Sequence, residues 1–156
     1  MKIPKTTLNN ILEVYKPNCR YLKDCEMNFP RAKGIFSIPK SAYVESTGHF
    51  NAAELIICYN QLAYSFFAES SKQGLIKEVG IIPLNKFKEN QLKNYFIVEM
   101  DRIKFRKLIN PENFEGEIEL KGIRKLRDIL YLKTEYNFGN GSATGKINLA
   151  SLTHIK

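Results

Sequence analysis

Residues 41–69 read Ser-Ala-Tyr-Val-Glu-Ser-Thr-Gly-His-Phe-Asn-Ala-Ala-Glu-Leu-Ile-Ile-Cys-Tyr-Asn-Gln-Leu-Ala-Tyr-Ser-Phe-Phe-Ala-Glu, and their pattern decides the fold. The stretch opens as a polar, glycine-containing turn and becomes the most apolar helix candidate in the chain. Asn51 is a good N-cap and Glu54 follows three residues later, the spacing at which each side chain bonds the other's backbone N–H. Leu55, Ile56, Ile57, Cys58, Tyr59, Leu62, Ala63, Phe66 and Phe67 go nearly all the way round the helix axis, which predicts burial on most sides. A helix of about 18 residues spans roughly 27 Å, the length of a small domain. The rest of the chain must wrap it. Asn60, Gln61 and Tyr64 are polar positions inside this apolar surface, and a buried amide without partners costs about 1–3 kcal/mol, so each needs protein, water or ligand to bond.

Working outward, residues 6–16 form a short helix capped by Thr6 or Thr7, with Leu8, Ile11, Leu12 and Tyr15 at helical spacing and Pro17 as its stop. Residues 22–29 and 34–38 are short strands joined by a hairpin across Pro30-Arg31-Ala32-Lys33-Gly34. Ser70-Ser71-Lys72-Gln73-Gly74 reads as a surface break, and residues 84–92 as a short amphipathic helix. From Tyr95 onward the pattern is β. Phe96, Val98 and Met100 alternate, the phase slips at Asp101-Arg102, and Ile103 and Phe105 resume it, which predicts one long strand with a bulge. Ile118 and Leu120 mark the next strand, and Leu130, Leu132, Thr134, Tyr136 and Phe138 the one after. The turn Gly139-Asn140-Gly141 then leads into a last strand over 145–152.

One dominant helix and several long antiparallel strands make an α+β layout, a hotdog fold in which a curved sheet wraps a central helix. Residues 1–156 are read as a single domain, a length that allows a sizeable core. Such a sheet leaves edges open, and pairing two sheets is the usual remedy, so a homodimer or higher homo-oligomer is expected.

The composition excludes several classes. No apolar run approaches the roughly 20 residues that span a bilayer, so no membrane span is expected. The first ten residues lack the apolar core of a signal peptide, which points to the cytoplasm. Cys19, Cys25 and Cys58 have no metal-ligand spacing and leave one thiol over in any disulfide scheme, so reduced thiols and no metal are expected. His49 and His154 are the only histidines. The net charge of +8 predicts an acidic partner. Arg102-Ile103-Lys104-Phe105-Arg106 superficially suits nucleic acid, but its alternation is that of a strand with one wet face, so no nucleic-acid partner is expected.

Several of these residues, taken together, resemble one family. Tyr15 with Cys19-Arg20-Tyr21-Leu22, then Ser41-Ala42-Tyr43, Ser46-Thr47-Gly48-His49-Phe50-Asn51-Ala52, Glu54-Leu55-Ile56 and Cys58-Tyr59-Asn60-Gln61-Leu62-Ala63-Tyr64 resemble the FcoT family of hotdog-fold fatty acyl thioester enzymes. Phe105-Arg106-Lys107 with Asn110-Pro111, and Gly145-Lys146-Ile147-Asn148-Leu149, resemble the family's second half. The resemblance covers most of the chain and is weakest over 70–95.

The resemblance implies an enzyme acting on fatty acyl thioesters, in one of two ways. One is lyase-type addition of glycine to the β-carbon of an α,β-unsaturated acyl chain on an acyl carrier protein, as in isonitrile lipopeptide biosynthesis. The other is hydrolysis of long-chain acyl-CoA. Neither needs a cofactor beyond the phosphopantetheine that carries the substrate, on the carrier protein or in CoA. The family's proposed site falls here on Tyr15, Tyr43, Asn51 and Asn60. A helix start at Asn51 offers amide N–H groups and a partial positive charge to the oxyanion or enolate of a polarised thioester. Tyr43 and Asn60 are suited to donate to that oxygen or hold the nucleophile, and Tyr15 to close the site.

Two further residues carry alternatives. His49 and its neighbour Gly48 are either turn residues or part of the site, where a neutral imidazole moves a proton between glycine's ammonium and the α-carbon. Arg106 is either a solvated strand residue or the fork that holds glycine's carboxylate or a phosphate. Hydrolysis usually needs a carboxylate to activate water, and here Glu54 already has a capping role. The Tyr, Asn, His and Arg set therefore favours glycine addition. A catalytically silent acyl-binding module is the third possibility, and it would tolerate loss of Tyr43 and Asn60.

Overall fold

The computed structural model describes residues 1–45 and 48–152; Ser46 and Thr47 of the polar turn, and His154, lie outside the described residues. Helices α1 (Lys5–Leu12), α2 (Ala52–Lys72) and α3 (Leu84–Asn94) pack with strands β1 (Leu22–Asn28), β2 (Arg31–Phe36), β3 (Tyr95–Phe105), β4 (Phe114–Leu126), β5 (Ile129–Phe138) and β6 (Ala143–Leu152). The six strands form one antiparallel sheet in the order β1-β2-β4-β5-β6-β3. Its concave face wraps α2, which is the hotdog arrangement the sequence predicts.

The central helix begins as expected. Asn51 accepts from the backbone N–H groups of Ala53 and Glu54 at 3.0 and 3.1 Å, and the Glu54 carboxylate accepts from the Asn51 N–H at 3.3 Å. Its end differs from expectation. Ser70 and Ser71 are helical and fully buried, so the helix runs 21 residues, and the break falls at Gln73 and Gly74, where φ is +66°. Polar residues read as a surface turn are here inside the fold, against Met27.

Around the helix start, Phe50 packs on Phe114 and Phe138 with ring centroids 4.8 and 5.7 Å apart. Further along, Tyr59 sits edge-on to Tyr136, and its hydroxyl is 2.6 Å from that of Thr134. Gln61 is fully buried and satisfied: its carbonyl accepts from Tyr21 and Leu22, both at 2.9 Å, and its amide donates to the Cys19 carbonyl at 2.5 Å.

The first helix is shorter than predicted and lacks a Thr cap; Pro4 precedes it, its fixed φ suiting a helix start, and Pro17 begins a separate 3-10 turn over Pro17–Cys19. The β1–β2 hairpin is tighter than predicted. Asn28 pairs with Arg31, so Arg31 and Lys33 are wet-face residues of β2, alternating with buried Ala32 and Phe36. The bulge predicted at Asp101-Arg102 is present, with Arg102 at φ +54°, and a second register shift lies between Ile97 and Glu99. That second shift puts Met100 opposite Ile147 and Ile97 opposite Leu149, on the concave face, whereas Phe96 lies opposite Ala150 on the other.

The two sheet edges differ. Along β1, Lys2 bridges Glu26, the Ile3 N–H donates to Cys25, and the Met27 N–H to Met1, so the N-terminal segment covers that edge. At the other edge, β3 exposes Phe96, Val98, Met100, Ile103 and Phe105 by 38–50%. No helix among the described residues is long and apolar enough to cross a membrane.

Candidate active site at the start of the central helix

The cap leaves little backbone free. Asn51 takes the N–H groups of Ala53 and Glu54, Glu54 takes that of Asn51, and the Leu55 N–H bonds the Asn51 carbonyl. Ala52 is exposed, and its N–H is the one amide of this first turn without a partner among the described residues. An unpaired amide at the positive end of a 21-residue helix is a ready donor to a carbonyl oxygen that gains charge. The sequence located this helix start but not which amide it leaves open, because that depends on how the cap is satisfied.

One face of α2 stays uncovered in the single chain. Ala52 and Ala53 are exposed and Ile56, Ile57 and Asn60 half-buried, a stripe at helical spacing that continues to Tyr64. The Asn60 side chain makes no hydrogen bond among the described residues, in contrast to that of Gln61 beside it. The half-buried Tyr15 borders this stripe. Its phenol is held well above the usual tyrosine range by burial first, then by the neighbouring Tyr64 and Cys58, so it stays a neutral hydrogen-bond donor. Asn60 and Tyr15 therefore lie along one side of the helix, and Asn51 at its start.

His49 and Gly48 lie at the lip. With Ser41, Glu54, Asn110 and Pro111 they line a cleft of about 160 Å³ beside the cap. Gly48 is at φ +71°, a conformation that favours glycine. Glu54, only 2% exposed, brings a carboxylate into the cleft that holds His49, a pairing the sequence assigned to capping alone. Beneath this region Tyr21 is 1% exposed and its pKa is pushed up to about 12, chiefly by burial.

Two predicted residues stand apart. Tyr43 is 54% exposed and lines an outer groove with Asn18, Lys40 and Val44. Arg106 lies on the convex face, away from α2: its guanidinium donates to the Thr144 hydroxyl, and it lines a trough with Glu117, Glu135 and Lys146. Within one chain, that position does not reach the cap. Cys25 and Cys58 are buried free thiols and Cys19 is a half-buried one.

Residues 10–151 match the family described as FcoT-like thioesterase domain. A (2E)-enoyl-[ACP] glycyltransferase of Mycobacterium tuberculosis is 35% identical over 161 residues, covering 96% of this chain and 87% of the relative. One of Streptomyces coeruleorubidus is 34% identical over 122 residues, 76% of this chain and 73% of the relative. Among solved structures, the dehydratase domain of RzxB from Pseudomonas fluorescens superposes with a TM-score of 0.54 at 9% identity, over 97% of this chain and 49% of that one. A sigma28-regulated virulence protein from Campylobacter jejuni gives 0.53 at 9% identity, over 97% of this chain and 94% of that one. At such identities these two speak for the fold alone.

Proposed function

The chain belongs to the FcoT-like thioesterase family, and from that premise we propose that it is an enzyme that adds glycine to the β-carbon of a (2E)-enoyl chain borne on an acyl carrier protein. The observation that carries this reading is the 35% identity, over 96% of the chain, to relatives named (2E)-enoyl-[ACP] glycyltransferase.

The chemistry follows from the cap. The thioester oxygen accepts from the Ala52 N–H, and Asn60, about 12 Å further along the helix, holds the nucleophile. Glycine's amine forms the N–C bond at the β-carbon, and the alkene electron pair moves to the thioester oxygen as an enolate, where the helix terminus stabilises it. The enolate collapses as the α-carbon takes a proton, and the amine gives one up, so no net proton is consumed. His49 at the lip carries that proton. The thioester stays intact, and no cofactor is required beyond the phosphopantetheine arm. Asn51 fixes the start of the helix, and Tyr15 closes the apolar channel. The substrate chain lies along the Ile56 and Ile57 stripe.

A homodimer completes that channel. β3 is the open edge of the sheet and α2 keeps an apolar stripe uncovered, so a second copy paired along β3 covers both. The cytoplasm, where carrier-bound acyl chains are made, is the proposed compartment. Hydrolysis is the second reading, and one observation favours it: the Glu54 carboxylate shares the His49 cleft and is suited to activating water.

Intact-mass analysis of an enoyl-loaded carrier protein, incubated with and without glycine, separates the two. Glycine addition predicts a glycine-dependent mass gain on the carrier with the thioester retained. Release of free carrier thiol regardless of glycine would refute it and establish hydrolysis.

A further inference from the structure

Beside the lip of the site lies a surface that the chemistry above does not use. Lys104, Arg106 and Lys107 are exposed, and Leu108, which follows them, is 81% exposed, the most exposed large apolar side chain among the described residues. Many of the chain's other cations are tied to carboxylates: Lys2 to Asp24, Lys33 to Glu115, Lys88 to Glu13 and Lys146 to Glu135, at 2.7–2.9 Å. Among the described residues Lys104 and Lys107 form no ion pair, and the Arg106 guanidinium donates to a neutral hydroxyl. Glu117, Glu119 and Glu135 line the trough beside Lys104 and Arg106, but Glu119 is held by Arg31 and Lys121 and Glu135 by Lys146, so this corner keeps a net positive charge around a projecting leucine.

The corner is fixed to the active-site lip. The Arg106 N–H donates to the Ser142 carbonyl at 2.7 Å, and the buried Ile109 accepts from the Phe50 N–H at 3.2 Å. Leu108 is thus held between two anchors, one of which is the residue immediately before Asn51. At 3.8 Å per Cα step, the chain and hydrogen-bond path from Leu108 to the cap is on the order of 10–12 Å. Asn110 and Pro111, two and three residues past Leu108, line the His49 cleft. A surface held this rigidly loses little freedom when a partner binds.

We propose that residues 104–108 are the docking surface for the acyl carrier protein that delivers the enoyl chain, an inference that rests on the carrier-borne substrate reading. A carrier presents acidic residues around a small apolar patch where its phosphopantetheine arm leaves the protein. Lys104, Arg106 and Lys107 complement the acids, and Leu108 the apolar patch, close enough to the cap for the arm to enter beside His49. A membrane surface would call for an amphipathic helix here, and single-stranded nucleic acid for exposed aromatics on the same face as the cations, whereas Phe105 lies on the face opposite Lys104 and Arg106. The projecting residue is an aliphatic leucine on a turn. Pairing of β3 with a second copy leaves Lys104 and Arg106 uncovered, because they point off the convex face and not along the strand edge.

The test compares the wild type with Lys104→Glu/Lys107→Glu and with Leu108→Ser. It measures binding of a phosphopantetheinylated carrier protein, turnover of enoyl-carrier, and turnover of the same enoyl chain on free pantetheine. Docking at this corner predicts a tenfold or greater rise in carrier Kd and KM for each variant, with kcat and the pantetheine reaction unchanged. It also predicts that wild-type carrier affinity falls steeply with salt while that of the charge-reversed variant does not. Unchanged carrier KM, or an equal loss on both substrates, would overturn the proposal. Binding is read without turnover, so a chain that hydrolyses the thioester still tests docking. Wild type that uses the pantetheine thioester and binds no carrier would instead sink the carrier-borne reading itself.

Discussion

Asn51→Ala is the substitution whose consequences the geometry defines most sharply. It removes the acceptor for two backbone N–H groups, those of Ala53 and Glu54, and leaves the Glu54 carboxylate still able to bond the Asn51 N–H. Loss of an N-cap side chain costs about 1–2 kcal/mol. The upper half of that range applies here, because Glu54 is buried and its N–H cannot turn to water. For a chain of this length a loss of that size lowers Tm by roughly 3–6 °C. Chemical denaturation at neutral pH measures it directly.

Turnover reports the other consequence. Without the cap the first turn frays, the Ala52 N–H loses its direction, and kcat falls at least tenfold while substrate binding along the Ile56 and Ile57 stripe persists. Asn51→Ser keeps a side-chain oxygen in the capping position and is expected to restore the stability and most of the rate. If Asn51→Ala unfolds at the wild-type midpoint, the capping argument is wrong. If Asn51→Ser regains stability and stays inactive, the Asn51 amide acts on the substrate itself and the role given to Ala52 fails.

Asn60→Ala is expected to abolish turnover and leave both the unfolding midpoint and acyl binding intact, since its amide bonds nothing among the described residues; full activity in this variant would discard the site and favour passive acyl binding. Gly145→Ala should destabilise the fold by about 1–3 kcal/mol, the usual range for overpacking, because a Cβ there would sit 2.4 Å from the Tyr136 hydroxyl; a neutral result in thermal unfolding would show that Tyr136 moves aside freely. Stability should fall as pH rises from about 9 toward 12. Burial pushes the Cys25 thiol and the Tyr21 and Tyr136 phenols up to about 12, so over that window the unfolded chain loses protons that the folded chain keeps. A urea midpoint that is flat across that window would contradict their burial.

The fold was legible where its causes are local. The capping box lies within four residues, and the turn Gly139-Asn140-Gly141 has all three residues at positive φ, so both could be read directly. The end of α2 could not, because Ser70 and Ser71 are polar residues held in the helix by what packs on them. The β1–β2 hairpin was misjudged for the converse reason. Arg31 and Lys33 look like turn residues, yet Arg31 and Lys33 pair with Glu119 and Glu115 on β4, partners more than 80 positions away.

The site divides along the same line. Asn60 and Gln61 are adjacent amides in one apolar helix, and periodicity alone gives them equal standing. Their difference comes from what lies opposite: Gln61 faces the main chain of Tyr21 and Leu22, which uses up its carbonyl, whereas Asn60 faces the open stripe and keeps its amide available. Arg106 depends on parity. Without a bulge Arg106, six residues past Met100, would share its face, toward α2. The extra residue between Asp101 and Lys104 reverses that, and the shift between Ile97 and Glu99 sets Phe96 opposite Met100 as well, so Phe96, Lys104 and Arg106 share the convex face and Ile97 and Met100 the concave one. Each extra residue in a strand reverses the facing of everything beyond it. The role open to Arg106 thus follows from the extra residue at Asp101–Lys104, which turns the guanidinium from glycine's carboxylate toward the acids of a carrier.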